Sequence, residues 1–188
     1  MRWLALFIAL LTTSSVWSQQ PGLTPDFGTI QYAGSIGFIS GGVGYDVFKR
    51  HQLSLHYGHV PERLGGPLHI VATRLMFNIS SLRISEHVMI SPFNAGVMVS
   101  YHFGSQFKSR WPSHRYPEGY YWWKTSLRAH LAAETSITFS LKEQRVQSVT
   151  AFVAFNTNEL YLISFLKNTR SLGLADIIKV GYGMRVRF

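Results

Sequence analysis

Long segments of this chain alternate apolar and polar residues with a period of two. From Phe93 the odd positions are Phe93, Ala95, Val97, Val99, Tyr101 and Phe103, and Asn94, Gly96, Met98, Ser100 and His102 lie between them. Thr125, Leu127, Ala129, Leu131, Ala133, Thr135, Ile137 and Phe139 alternate with Ser126, Arg128, His130, Ala132, Glu134, Ser136 and Thr138. At the C-terminus Ile178, Val180, Tyr182, Met184, Val186 and Phe188 alternate with Lys179, Gly181, Gly183, Arg185 and Arg187. Successive strand side chains point to opposite faces, so each segment is a strand with one apolar and one polar face. After the first residues no run of 18 apolar residues occurs, which excludes a spanning helix.

Two architectures present such strands. A soluble sandwich turns its apolar faces inward and its polar faces to water. A transmembrane barrel turns apolar faces to lipid and polar faces to its interior. The segments run to about 11–15 residues, longer than the 5–6 usual in soluble sheets and enough for a tilted membrane strand. Their polar faces are rich in small residues, and aromatics stand near the ends of the apolar faces, where interfacial girdles form. These features predict an all-β fold: an antiparallel up-and-down transmembrane β-barrel of about eight strands. A secreted or periplasmic soluble β-protein is the alternative architecture. Counting back from the C-terminus places strands over 176–188, 147–165, 123–139, 93–103, 68–77 and 52–58. Pro92, which has no amide donor, marks the start of the fifth. Residues 30–48 hold the first two, split by a turn at Ser40-Gly41-Gly42, with one long bulged strand as the alternative.

The N-terminus reads as a secretory signal peptide. Arg2 precedes an apolar run from Trp3 to Leu11, and Val16 and Ser18 suit a cleavage site after residue 18. Residues 1–18 are thus the signal, 19–28 a lead and 29–188 the barrel. Among 188 residues only 14% are charged while 14% are aromatic, which excludes a disordered chain. The absence of cysteine excludes a disulfide scaffold, a thiolate zinc site, a cysteine nucleophile and a lipoprotein anchor.

The segments Gly34-Ser-Ile-Gly-Phe-Ile-Ser40, Gly42-Val-Gly-Tyr45, Tyr57-Gly-His-Val-Pro61, Gly65-Gly66 and Val180-Gly-Tyr-Gly-Met-Arg-Val-Arg-Phe188 resemble a group of small outer-membrane β-barrel proteins of Gram-negative bacteria. The resemblance is spread in short pieces over most of the chain after residue 18. It implies fold and location and no particular activity. The final strand ending at Phe188 resembles the signal read by the barrel assembly machinery.

The alternation turns Asp46, His56, Arg74, His102, Arg128, His130, Glu134, Lys179, Arg185 and Arg187 inward. Eight strands leave a lumen filled by side chains, so these charges must pair, and a pore is disfavoured. His56, Arg74, His102, Arg128, His130, Glu134 and Arg185 form the expected interior polar network. Its cations outnumber Asp46 and Glu134, so some must reach the rims.

Small outer-membrane barrels include lipid-modifying hydrolases, which need a nucleophile within reach of an oriented base. Ser100, His102, His130 and Glu134 are the weak catalytic candidates. Ser100 and His102 lie roughly 7 Å apart on one strand, and Ser126 and His130 roughly 13 Å, too far to touch. His56, His59 and His69 are close in sequence without a zinc pattern, and no metal or cofactor is called for. Between Gly104 and Lys124, Lys108, Arg110, Trp111, Arg115, Trp122 and Trp123 combine cations with aromatics. That chemistry suits phosphorylated lipopolysaccharide at a membrane rim, whereas secretion disfavours nucleic acid. The expected protein is a monomer in contact with outer-membrane lipid and lipopolysaccharide, structural or surface-binding. A lipid A-modifying enzyme of acyl hydrolase type is the alternative function.

Overall fold

A computed structural model describes residues 24–48, 50–104, 126–141 and 145–188. The expected signal peptide and the basic-aromatic residues between Lys108 and Trp123 lie outside the described residues. Among the described residues there are nine strands: β1 Phe27–Ala33, β2 Ile39–Val47, β3 His51–Val60, β4 Leu68–Asn78, β5 Leu82–Arg83, β6 Val88–Phe103, β7 Leu127–Ser140, β8 Ser148–Asn158 and β9 Lys179–Arg187. Helix α1 spans Glu159–Lys167, and a single helical turn, α2, spans Leu174–Ile177.

Every strand pair is antiparallel. The sheet runs β4-β3-β2-β1-β9-β8-β7-β6, and β4 also pairs with β6, so eight strands close on themselves. β5 is a two-residue ribbon on the start of β6. Closure gives every barrel strand two neighbours and leaves no sheet edge. The start of β1, the end of β9 and the short β2–β3 and β7–β8 connections share one rim, here the near rim. The β1–β2 turn, the β3–β4 turn and α1–α2 stand at the far rim.

The first two strands differ from expectation. The chain turns at residues 34–38, not at Ser40-Gly41-Gly42. Gly34 and Gly37 take φ of 85° and 121°, and the Ala33 amide bonds the Phe38 carbonyl at 2.9 Å. Gly42 and Gly44 lie inside β2, where a Cβ would meet the His56 ring and the Phe27 ring respectively. They clear space for large interior neighbours and form no turn. The turn itself folds into the barrel, where Ile36 is fully buried with Ala72 and Met98.

β6 begins at Val88, before Pro92. The pairing with β7 shifts between Ser91 and Asn94, and both of these residues are buried. Pro92 sits in this bulge, where a missing amide costs no ladder bond, and its carbonyl accepts from Thr135 Oγ1 at 2.7 Å. The expected strand over 147–165 stops at Asn158. The Asn158 side chain accepts from the Tyr161 amide at 2.9 Å, an N-cap that opens α1. The last strand starts at Lys179 because residues 174–177 coil into α2.

Inside and outside are inverted relative to a water-soluble protein. Gln31, Ser54, His56, Arg74, Ser100, His130, Glu134, Asn156 and Arg185 are buried in the interior. Ile30, Tyr32, Ile39, Val43, Leu55, Tyr57, Val97, Val99, Leu131, Tyr182 and Met184 stand exposed on the outer face.

Candidate functional site: the charged barrel interior

At mid-height three strands contribute one ion cluster. Arg74 from β4 donates from Nη2 to Glu134 Oε2 at 2.7 Å, and Arg185 from β9 donates from Nη2 to the same oxygen at 2.9 Å. Glu134, on β7, and Arg74 are each 2% exposed. All three sit at the inward parity of their strands, and closure of the barrel places β4 and β9 two strands from β7 on either side of it, so the three side chains converge in the lumen. Phe152 of β8 lies between the two cations: its ring centroid is 5.6 Å from the Arg74 guanidinium and 5.1 Å from that of Arg185. The Phe27 ring centroid is also 5.3 Å from the Arg185 guanidinium. Ring faces stabilise the cation that a single carboxylate leaves over. Near the terminal rim Arg187 bonds Asp46 through Nη2 and Oδ1 at 3.1 Å. These contacts make a charged plug across a lumen that eight strands already keep narrow.

Between the cluster and the far rim lies a layer of histidines and hydroxyls. Ser100 Oγ and His130 Nε2 are 2.8 Å apart. They are diagonal neighbours across β6 and β7, where Met98 faces His130 and Ser100 faces Arg128. His56 Nε2 meets Ser54 Oγ at 2.8 Å. His102 reaches the Ser126 carbonyl at 3.4 Å, and Arg128 bonds Glu159 at 3.0 Å.

Among the catalytic candidates, Ser100 and His130 therefore meet, across strands rather than along one. The arrangement is not a triad. His130 Nδ1 has no partner among the described residues, and Glu134 is committed to its two arginines. Ser100 is fully buried and His130 is 5% exposed. His59 and His69 face each other on the outer side with ring centroids 4.8 Å apart. His56 points to the interior, so the three histidines do not converge. Among the described residues no group of three His, Asp or Glu side chains is placed to hold a metal.

Of the expected network, His56, Arg74, His130, Glu134 and Arg185 are fully interior, while His102 and Arg128 are half-buried towards the far rim. Lys179 is exposed at that rim, with its ammonium 5.3 Å from the Tyr161 ring centroid. Sequence reasoning missed Glu159 as the partner of Arg128, because a strand through 159 turns that residue outward. It also missed Phe27 and Phe152 as the aromatic walls of the cluster. The inward parity of Phe152 in β8 was the available signal.

The described residues thus define a closed eight-stranded up-and-down β-barrel with a polar, ion-paired interior. No family model, no curated protein and no solved structure matches the chain.

Proposed function

We propose that this barrel spans the outer membrane of a Gram-negative bacterium, with a filled interior and a structural or surface-binding role. The inversion of polarity carries the reading. An exposed apolar belt runs over the outer faces of β1, β2, β3, β6, β7, β8 and β9, while Arg74, Glu134 and Arg185 are buried inside. A soluble barrel exposing so continuous an apolar surface would associate through it, whereas acyl chains are its natural solvent. The short connections at the near rim suit a periplasmic side. In this reading residues 1–18 direct secretion, and the strand ending near Phe188 is read by the assembly machinery. Segment 104–123 adds a basic-aromatic lipopolysaccharide contact on the outer side, supported by its composition and by β6 ending at the far rim.

The test is refolding of residues 19–188 with lipid vesicles. A membrane barrel floats with the vesicles and migrates on gels differently before and after boiling. A folded product that stays in the aqueous fraction, with no heat-shifted band, overturns the proposal. Replacing Arg110, Trp111 and Arg115 together by alanine is expected to weaken lipopolysaccharide binding while leaving the heat shift intact.

The Ser100–His130 hydrogen bond favours a second reading, a lipid A acyl hydrolase. Its test is the mass of lipid A in a host carrying the folded protein or its His130→Ala variant. Loss of an acyl group with the first and not with the second supports hydrolysis. Unchanged lipid A beside a folded barrel removes that reading.

A further inference from the structure

Helix α1 is too apolar for the surroundings the barrel provides. Six of its nine residues, in the sequence Glu159-Leu-Tyr-Leu-Ile-Ser-Phe-Leu-Lys167, are apolar. At about 100° per residue they surround most of the axis, so no single stripe faces the barrel while the rest faces water. Yet none of the nine is buried, and Leu166 is 66% exposed. The helix packs mainly on β7, β8 and α2 rather than on the strands across the mouth, so it does not lid the lumen. A helix apolar on all sides is stable where its surroundings are apolar too.

Its position and charge indicate what those surroundings are. It leaves the barrel at the far end of β8, just beyond the outward Phe155 and its β9 partner Val180, so the outer apolar belt reaches the start of the helix. The charges that follow are mostly cationic. Lys167, Arg170 and Lys179 have no carboxylate partner among the described residues. The acids of the same stretch are occupied, Glu159 by Arg128 and the Ala129 amide, and Asp176 by the Gly173 amide.

We propose that α1 and the turn after it form an in-plane foot in the interfacial layer of the membrane. Leu162 and Leu166, one turn apart, enter the acyl region, while Lys167 and Arg170 extend to anionic lipid phosphates. The inference rests on the membrane reading above and adds a lipid-headgroup surface at the far rim, separate from segment 104–123.

The chain has no cysteine, so one introduced thiol labels a single place. Leu166→Cys and, on the belt, Leu131→Cys are each labelled with an environment-sensitive fluorophore. The full barrel is then folded into phosphatidylcholine vesicles with or without phosphatidylglycerol. Nitroxide lipid and aqueous iodide serve as competing quenchers. The foot predicts that nitroxide lipid quenches the Leu166 label about twofold or more over iodide, and more strongly with phosphatidylglycerol present. The charge-reversed Lys167→Glu/Arg170→Glu pair is expected to abolish that dependence on anionic lipid. Iodide quenching at Leu166 beside lipid quenching at Leu131 overturns the foot and leaves the barrel in the membrane. Iodide quenching at both positions overturns both readings.

Discussion

Glu134 holds two guanidiniums in the barrel interior, where none of the three side chains is more than 8% exposed. Removing one partner of a buried charge cluster leaves the others uncompensated, at a cost of about 3–5 kcal/mol. Glu134→Gln is therefore expected to lower sharply the urea midpoint of the vesicle-folded barrel. Ser100→Ala removes one hydrogen bond to the His130 ring, a loss of about 1 kcal/mol. If the two variants unfold at the same urea concentration, the cluster is not what holds the interior. Gly58 tests a different contact: a Cβ there would collide with the Ile36 carbonyl. Gly58→Ala is expected to cost about 1–3 kcal/mol, as overpacking does, and to drive the 34–38 turn out of the barrel. Limited proteolysis would then cut that turn in the variant and spare it in the parent. The candidate residues of this layer were legible singly, through parity. Their pairing was not: the partner of Ser100 depends on the register of β6 against β7, which no one strand encodes.

At the scale of elements, alternation identified most of β3, β4, β6, β7, β8 and β9, because outward and interior positions carry opposite chemistry on neighbouring residues. It overran at Asn158, since Tyr161, Ile163 and Phe165 prolong the outward apolar pattern of Val153 and Phe155, and a short helix supplies such residues as readily as a strand. The N-cap decides the matter there. Asn158→Ala is expected to weaken α1 by about 1 kcal/mol, seen as loss of amide protection confined to residues 159–167. The glycines of β2 misled in the opposite direction, being demanded by bulky neighbours on β1 and β3 rather than by a turn. The outward face of β7 carries its own prediction. Leu131→Arg places a charge on the belt and should cost about 2–4 kcal/mol near the bilayer midplane, whereas a valine there should be nearly neutral. Folding yield in vesicles of graded urea separates these cases. Equal yields would place Leu131 outside the hydrocarbon.

For the whole molecule, the filled lumen predicts electrical silence. Arg74, Glu134, Arg185 and Phe152 cross it at mid-height, and Ile36 blocks it below the far rim. The folded protein in planar bilayers should show no steady conductance, and stable unitary steps would contradict the plug. The sequence by itself determined the class of fold. A period of two sustained over more residues than a soluble strand needs can be satisfied by few architectures, and the number of such segments set the size of the barrel. The tertiary structure alone decided which interior residues touch, that β4 closes on β6, that Ile36 turns inward and that α1 interrupts the far rim. Periodicity is a property of one strand and its local environment. Cross-lumen contacts depend on the stagger of eight strands at once, and that stagger exists only after closure.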